Sequence, residues 1–138
     1  MKNNVAVIGN GKIGKIIASL LKSEYFNVTV ADQDTSGGNC VPIDATDEKQ
    51  IEHFLKGKDV VVSAAPYFLN KKIALVASKL GVAYFDLTED TDVTSYIKNL
   101  NTKTFMMPQC GLAPGAVNII GSNLTKEFEE VHDVQMRV

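Results

Sequence analysis

The chain has 138 residues, 45% hydrophobic and 22% charged, enough for one soluble globular domain with a core of its own. Its 14 basic and 16 acidic side chains give a formal charge of −2 without any basic stripe, which argues against nucleic acid as a partner. No stretch approaches the roughly 18 apolar residues of a membrane span, and the apolar run after Lys2 breaks at Gly9, too early for a secretory signal, so a cytoplasmic protein is expected.

The first predicted strand, Val5–Ile8, ends abruptly in Gly9-Asn10-Gly11-Lys12-Ile13-Gly14. Apolar residues at Ile13, Ile16, Ile17, Leu20 and Leu21 then follow helical spacing, and a second strand, Val28–Asp32, closes on an acid 18 residues after Gly14. Each part has a mechanical reason. Gly9 permits the tight turn, Gly11 admits a pyrophosphate to the backbone, and Gly14 brings the helix close to the strands. The helix start offers unpaired N–H groups to phosphate, and Asp32 is placed to accept hydrogen bonds from a ribose. Strand, glycines, helix, strand and acid in this order predict a dinucleotide site on Gly9, Asn10, Gly11, Lys12, Ile13, Gly14 and Asp32. The expected cofactor is NAD, because Asp32 would repel a 2′-phosphate and no Lys or Arg occurs from Ser23 to Glu48. NADP stays open, since a basic residue distant in sequence can fold over the site.

Beyond a polar loop at Gln33–Asn39, Cys40–Ile43 is a short strand whose proline suits a sheet edge. Asp44–Asp47 reads as a turn and N-cap for a helix carrying Ile51, Phe54 and Leu55, which Gly57 ends. Asp59–Ser63 is a β-branched run of the kind buried in parallel sheets. Ala64-Ala65-Pro66-Tyr67 hands over to a helix with Leu69, Ile73, Val76 and Leu80, closed by Gly81. Val82–Leu87 is the next strand, followed by a capped start at Thr88–Asp90 and a helix with Val93, Tyr96, Ile97 and Leu100. Thr104–Met107 is the sixth strand, and a last helix aligns Val117, Ile120, Leu124 and Phe128. The alternation predicts an α/β Rossmann fold, a doubly wound parallel sheet of about six strands in the order 3-2-1-4-5-6 with helices on both faces.

Ligands of such sheets bind at the carboxyl ends of the strands, so the loops after residues 8, 32, 63 and 107 share one edge. Ala64, Ala65 and Pro66 either let a cofactor lie against the backbone or simply form a tight turn. Pro114-Gly115 opens a helix that is either an anion anchor or an ordinary strand-to-helix turn. Asp86 and Glu89 either meet a substrate amine or belong to helix capping. Cys110 has no basic neighbour in sequence to make it a thiolate, neither Cys40 nor Cys110 has metal-ligand spacing, and His53 and His132 read as structural or exposed.

Taken together, Ile8–Gly14, Ala64–Tyr67, Tyr84–Glu89 and Cys110-Gly111-Leu112-Ala113-Pro114-Gly115 resemble the saccharopine dehydrogenase-like family, in its N-terminal dinucleotide domain. The resemblance implies a nicotinamide-dependent oxidoreductase acting on a carbon–nitrogen bond of a small amino-acid substrate, of saccharopine or lysine type. Ala113 stands where saccharopine reductases proper carry Asp, a form more similar to lysine 6-dehydrogenase, so the substrate stays open. The alternative from the residues is a nucleotide-sensing regulatory Rossmann domain without catalysis, in which binding shifts a conformational equilibrium. The expected organisation is a dinucleotide-binding domain over 1–130 and, from the alternating Val134–Val138, the opening strand of a second, substrate domain at 131–138. Such a stub exposes an edge through which the chain is expected to form a homodimer. Without that domain the chain is expected to bind dinucleotide and turn nothing over.

Overall fold

A computed structural model describes residues 3–22 and 25–137. Its elements are β1 (Asn3–Ile8), α1 (Lys12–Leu21), β2 (Phe26–Asp32), β3 (Val41–Pro42), α2 (Glu48–Leu55), β4 (Val60–Ser63), α3 (Tyr67–Leu80), β5 (Ala83–Asp86), α4 (Thr91–Lys98), β6 (Met106–Met107) and α5 (Ala116–Thr125). The six strands form one sheet in the order β3-β2-β1-β4-β5-β6, with every neighbouring pair parallel. The expected doubly wound order is the observed one.

Side chains alternating along the strands feed two cores. Ala6, Ile8, Val61 and Tyr84 pack with Ile51 and Leu55 of α2, Ile73 and Ala77 of α3, and Val93 and Ile97 of α4. On the other face Val7, Val30 and Val62 meet Ile17, Ala18 and Leu21 of α1. Local chemistry sets the helix ends. Asp47 accepts the Lys49 N–H at the start of α2, and Asp90 accepts the Val93 N–H at the start of α4. Gly81, at φ 72°, closes α3 in the left-handed conformation.

The two faces are not equally covered. In α1 the inward line is Gly14, Ile17, Ala18 and Leu21, while Ile13, Ile16 and Leu20 are exposed. The five apolar residues expected to form one stripe therefore divide between two sides of the helix. In α5 no residue is buried, so the aligned Val117, Ile120, Leu124 and Phe128 do not dock on the sheet. They line a cavity of about 590 Å³ that residues 130–137 close from the other side. Residues 131–137 have no regular secondary structure, against the strand expected from their alternation; Val138 lies outside the described residues. Alternation supplies a face, but a strand needs a neighbour to complete its ladder, and this segment has none among the described residues. Among the described residues no helix is long and apolar enough to cross a membrane.

Candidate functional site

The glycine turn is clamped at the middle of the sheet, where Gly9 donates to the Ala31 carbonyl and Ala64 donates to that of Ile8, both at 2.8 Å. A Cβ on Gly14 would lie 1.9 Å from the Gly9 carbonyl oxygen, and one on Gly9, at φ 111°, would lie 2.6 Å from the Ala64 oxygen. These two glycines let turn, helix and β4 touch. A Cβ on Gly11 would meet nothing within 4 Å, so the turn is open to ligand there. No side chain caps α1, whose first N–H groups remain free to receive a phosphate.

Asp32 is fixed beside this turn. One carboxylate oxygen accepts the Asn10 N–H at 2.5 Å and the other the Asp34 N–H at 2.9 Å. The loop beyond is covered by Lys15, whose Nζ would lie 2.8 Å from a Cβ on Gly37. The pKa of the Asp34 carboxyl is lowered from its ordinary value, first by its hydrogen bonds with Ser36 and more weakly by the Lys15 charge. Lys15 is thus a distant basic residue brought over the acidic end of β2.

Two cavities flank the turn. One, of about 510 Å³, is bounded by Gly9, Gly11, Asp32, Ile43, Ala64, Ala65 and Pro66. The other, of about 410 Å³, is bounded by Ile13, Ala64, Ala65, Asn70, Thr88 and Glu89. Ala64 and Ala65 form the wall that both share. Of the residues expected to bind cofactor, Asn10 contributes its backbone N–H to Asp32, Gly14 is buried under the turn, and Lys12 is exposed and lines neither cavity.

Beneath the second cavity lie two buried polar pairs. The Tyr84 hydroxyl donates to Asp86 Oδ2 at 2.8 Å, and the Ser63 hydroxyl donates to Asn70 Oδ1 at 2.7 Å. Burial, followed by the Asp86 charge, pushes the Tyr84 phenol far above its usual range, so it remains a donor. Asp86 Oδ1 accepts the N–H groups of Thr88 at 3.0 Å and Gln109 at 3.2 Å. The Asp86 carboxylate is therefore sealed inside the fold and ties two loops together. It does not reach a substrate amine, whereas exposed Glu89 borders the cavity.

Other sequence candidates lie elsewhere. Burial raises the Cys110 thiol, with Asp86 adding to the effect, and its Sγ donates to the Met107 carbonyl at 3.4 Å. The start of α5 is closed by its own loop: Ala116 and Val117 donate to the Gly111 and Leu112 carbonyls, and Gly115 to Asn118 Oδ1. That end is an ordinary turn rather than an anion anchor. His53 is exposed on α2, and exposed His132 lies 3.8 Å from Glu130. Asn70 was not among the expected site residues. The available signal was a polar residue one helical turn before Ile73 on the inward face of α3.

A glycine turn at the centre of a doubly wound sheet, with a cavity on each side of it, defines a dinucleotide-binding domain. The chain belongs to the family described as saccharopine dehydrogenase NADP binding domain, which it matches over residues 5–111. That makes it a dinucleotide-binding domain of the oxidoreductase type, as the motif resemblance implied, although Leu112–Gly115 of the last motif lie beyond the matched span. The chain is similar to saccharopine dehydrogenase [NADP(+), L-glutamate-forming] of Saccharomyces cerevisiae, with 24% identity over 96% of this chain and 32% of that protein. It is also similar to glutamyl-tRNA reductase of Acetivibrio thermocellus, with 30% identity over 72% of this chain and 33% of that one. It thus spans about a third of the length of the curated relatives it matches. Among solved structures, apo saccharopine dehydrogenase (L-Glu forming) from Saccharomyces cerevisiae superposes with TM-score 0.79 and 20% identity, over 91% of this chain and 31% of that one. The TrkA-N domain of the inner membrane protein ybaL from Escherichia coli gives 0.63 and 15%, over 94% and 98%. At these identities the structural likeness establishes the fold alone.

Proposed function

We propose that the chain binds NADP(H) as the cofactor domain of an oxidoreductase that moves hydride to or from a carbon–nitrogen bond of an amino acid. The observation that carries this reading is the pair of cavities meeting at Ala64 and Ala65 across the open glycine turn. The adenosine half occupies the cavity bounded by Asp32 and Pro66, the pyrophosphate crosses Gly11, and the nicotinamide enters the cavity bounded by Ile13 and Thr88. Hydride chemistry belongs to the cofactor; the protein orients it and shapes its surroundings. The amino-acid substrate follows the relatives, with exposed Glu89 the carboxylate available to an ammonium group.

For the choice of dinucleotide, the family description supports NADP(H) over the NAD expected from Asp32. So does Lys15, a cation beside the loop that a 2′-phosphate would touch, while both Asp32 oxygens are already held by backbone N–H groups. The regulatory alternative draws on likeness of fold alone, and family membership supports the enzyme. Calorimetric titration of the chain with NADPH and NADH tests the reading. Tighter NADPH binding is expected. Tighter NADH binding restores Asp32 as the selector, and absence of binding to both removes the function proposed.

A further inference from the structure

We propose that Asn70 reads the carboxamide of the nicotinamide ring. This rests on the dinucleotide reading and adds the residue that fixes the reactive end of the cofactor. The Asn70 side chain is 2% exposed, yet it borders the 410 Å³ cavity beside Ala64, Ala65 and Ile13. Its one side-chain hydrogen bond among the described residues is to Ser63, so half of the amide is unused. Thr94 Oγ1 is the one sealed polar side-chain atom without a partner among the described residues, so the free end of Asn70 is not sealed. It faces the cavity. Whichever way the amide is turned, one end bonds Ser63 and the other is left for a ligand.

The surroundings hold it there. Ser63 is itself 1% exposed, and its bond to Asn70 removes freedom from the amide before any ligand arrives. A carboxamide both donates and accepts, so another carboxamide is a fitting partner. Beside it, Ile13 is an apolar surface for a ring, and the two alanines leave room for its edge. A buried polar group of fixed direction also discriminates, because a ligand without the matching group leaves it unpaired.

Two matched pairs of probes separate this inference from the reading beneath it: NADPH with 2′-phospho-ADP-ribose, and NADH with ADP-ribose. The second member of each pair lacks the ring. Replacing Asn70→Leu is expected to weaken binding of the dinucleotide about threefold to tenfold and to leave the ring-less probe unchanged. Equal weakening of both, or of neither, overturns the proposal. Because that substitution also strips a partner from Ser63, the unaltered chain supplies a second readout. The Asn70 side-chain amide protons, followed by nitrogen-15 NMR, are expected to shift with the dinucleotide and not with the ring-less probe. The same shift with both, or none with either, overturns the assignment to the ring. If neither member of either pair binds, the dinucleotide reading fails and takes this one with it.

Discussion

At Gly11 an added side chain would enter open space, whereas at Gly14 its first atom would lie 1.9 Å from the Gly9 carbonyl oxygen. One motif therefore contains residues with separable duties. Gly11 has φ −70° and ψ −172°, an extended conformation that valine also adopts. Gly11→Val is expected to change unfolding free energy by no more than about 1 kcal/mol, the scale of a weakened N-cap. Dinucleotide affinity should fall about a hundredfold, as backbone N–H groups lose the phosphate. Gly14→Ala should do the reverse damage, costing about 3 kcal/mol or more as the helix is pushed off the turn. Urea denaturation and fluorescence titration on both variants decide this; a Gly11→Val chain that binds normally would move the site elsewhere. The glycines were legible because each has a backbone reason to be there. Asp86 was not: a carboxylate after a strand has the same appearance in sequence whether it meets solvent or ties Thr88 and Gln109 from within.

The helices differ in how firmly they belong to the molecule. Ile73, Ala74 and Ala77 of α3 are fully buried, while in α5 Ile119 is 71% and Ile120 58% exposed. Short helices in water owe most of their stability to packing, so α5 should open independently of the sheet. In hydrogen–deuterium exchange, amides of β1, β4 and α3 are expected to exchange only with global unfolding. Those of α5 should exchange at least about a hundredfold faster, a difference of roughly 3 kcal/mol in opening free energy. Equal protection would mean that α5 is packed after all. Periodicity located the five helices found among the described residues, because it reports which residues can form an apolar stripe. It does not report whether anything meets that stripe. For that reason α2 and α3 behave as read, while α4 ends before Leu100 and leaves Tyr96 exposed, α1 divides its stripe and α5 keeps its own away from the sheet. The sixth strand is likewise shorter than Thr104–Met107 suggests, since only Met106 and Met107 pair with β5.

Across the whole molecule, the order of strands was readable because right-handed crossovers leave few ways to arrange alternating strands and helices. The meeting of the two cavities was not, since Ile13, the stretch from Ala64 to Asn70, and Thr88 are joined only by the folding of three separate segments. The sheet that gathers them has short ends: β3 is Val41–Pro42 and β6 is Met106–Met107, with Pro108 directly after it. A proline has no N–H to offer an incoming strand, and a two-residue edge gives little template for one. Two copies are therefore poorly equipped to join by strand addition, and the tail at 131–137 has no strand with which to do so. If copies associate, the exposed apolar residues of α1 and α5 are the surfaces available to them, and the contact should be helical. Concentrating the protein while following its infrared amide band is expected to show no intermolecular β component, and thioflavin T should stay dark. A β band rising with concentration would mean that these blunted edges do not guard the sheet. The same two prolines would then hold a different place in the protein, as bystanders to aggregation rather than its gatekeepers.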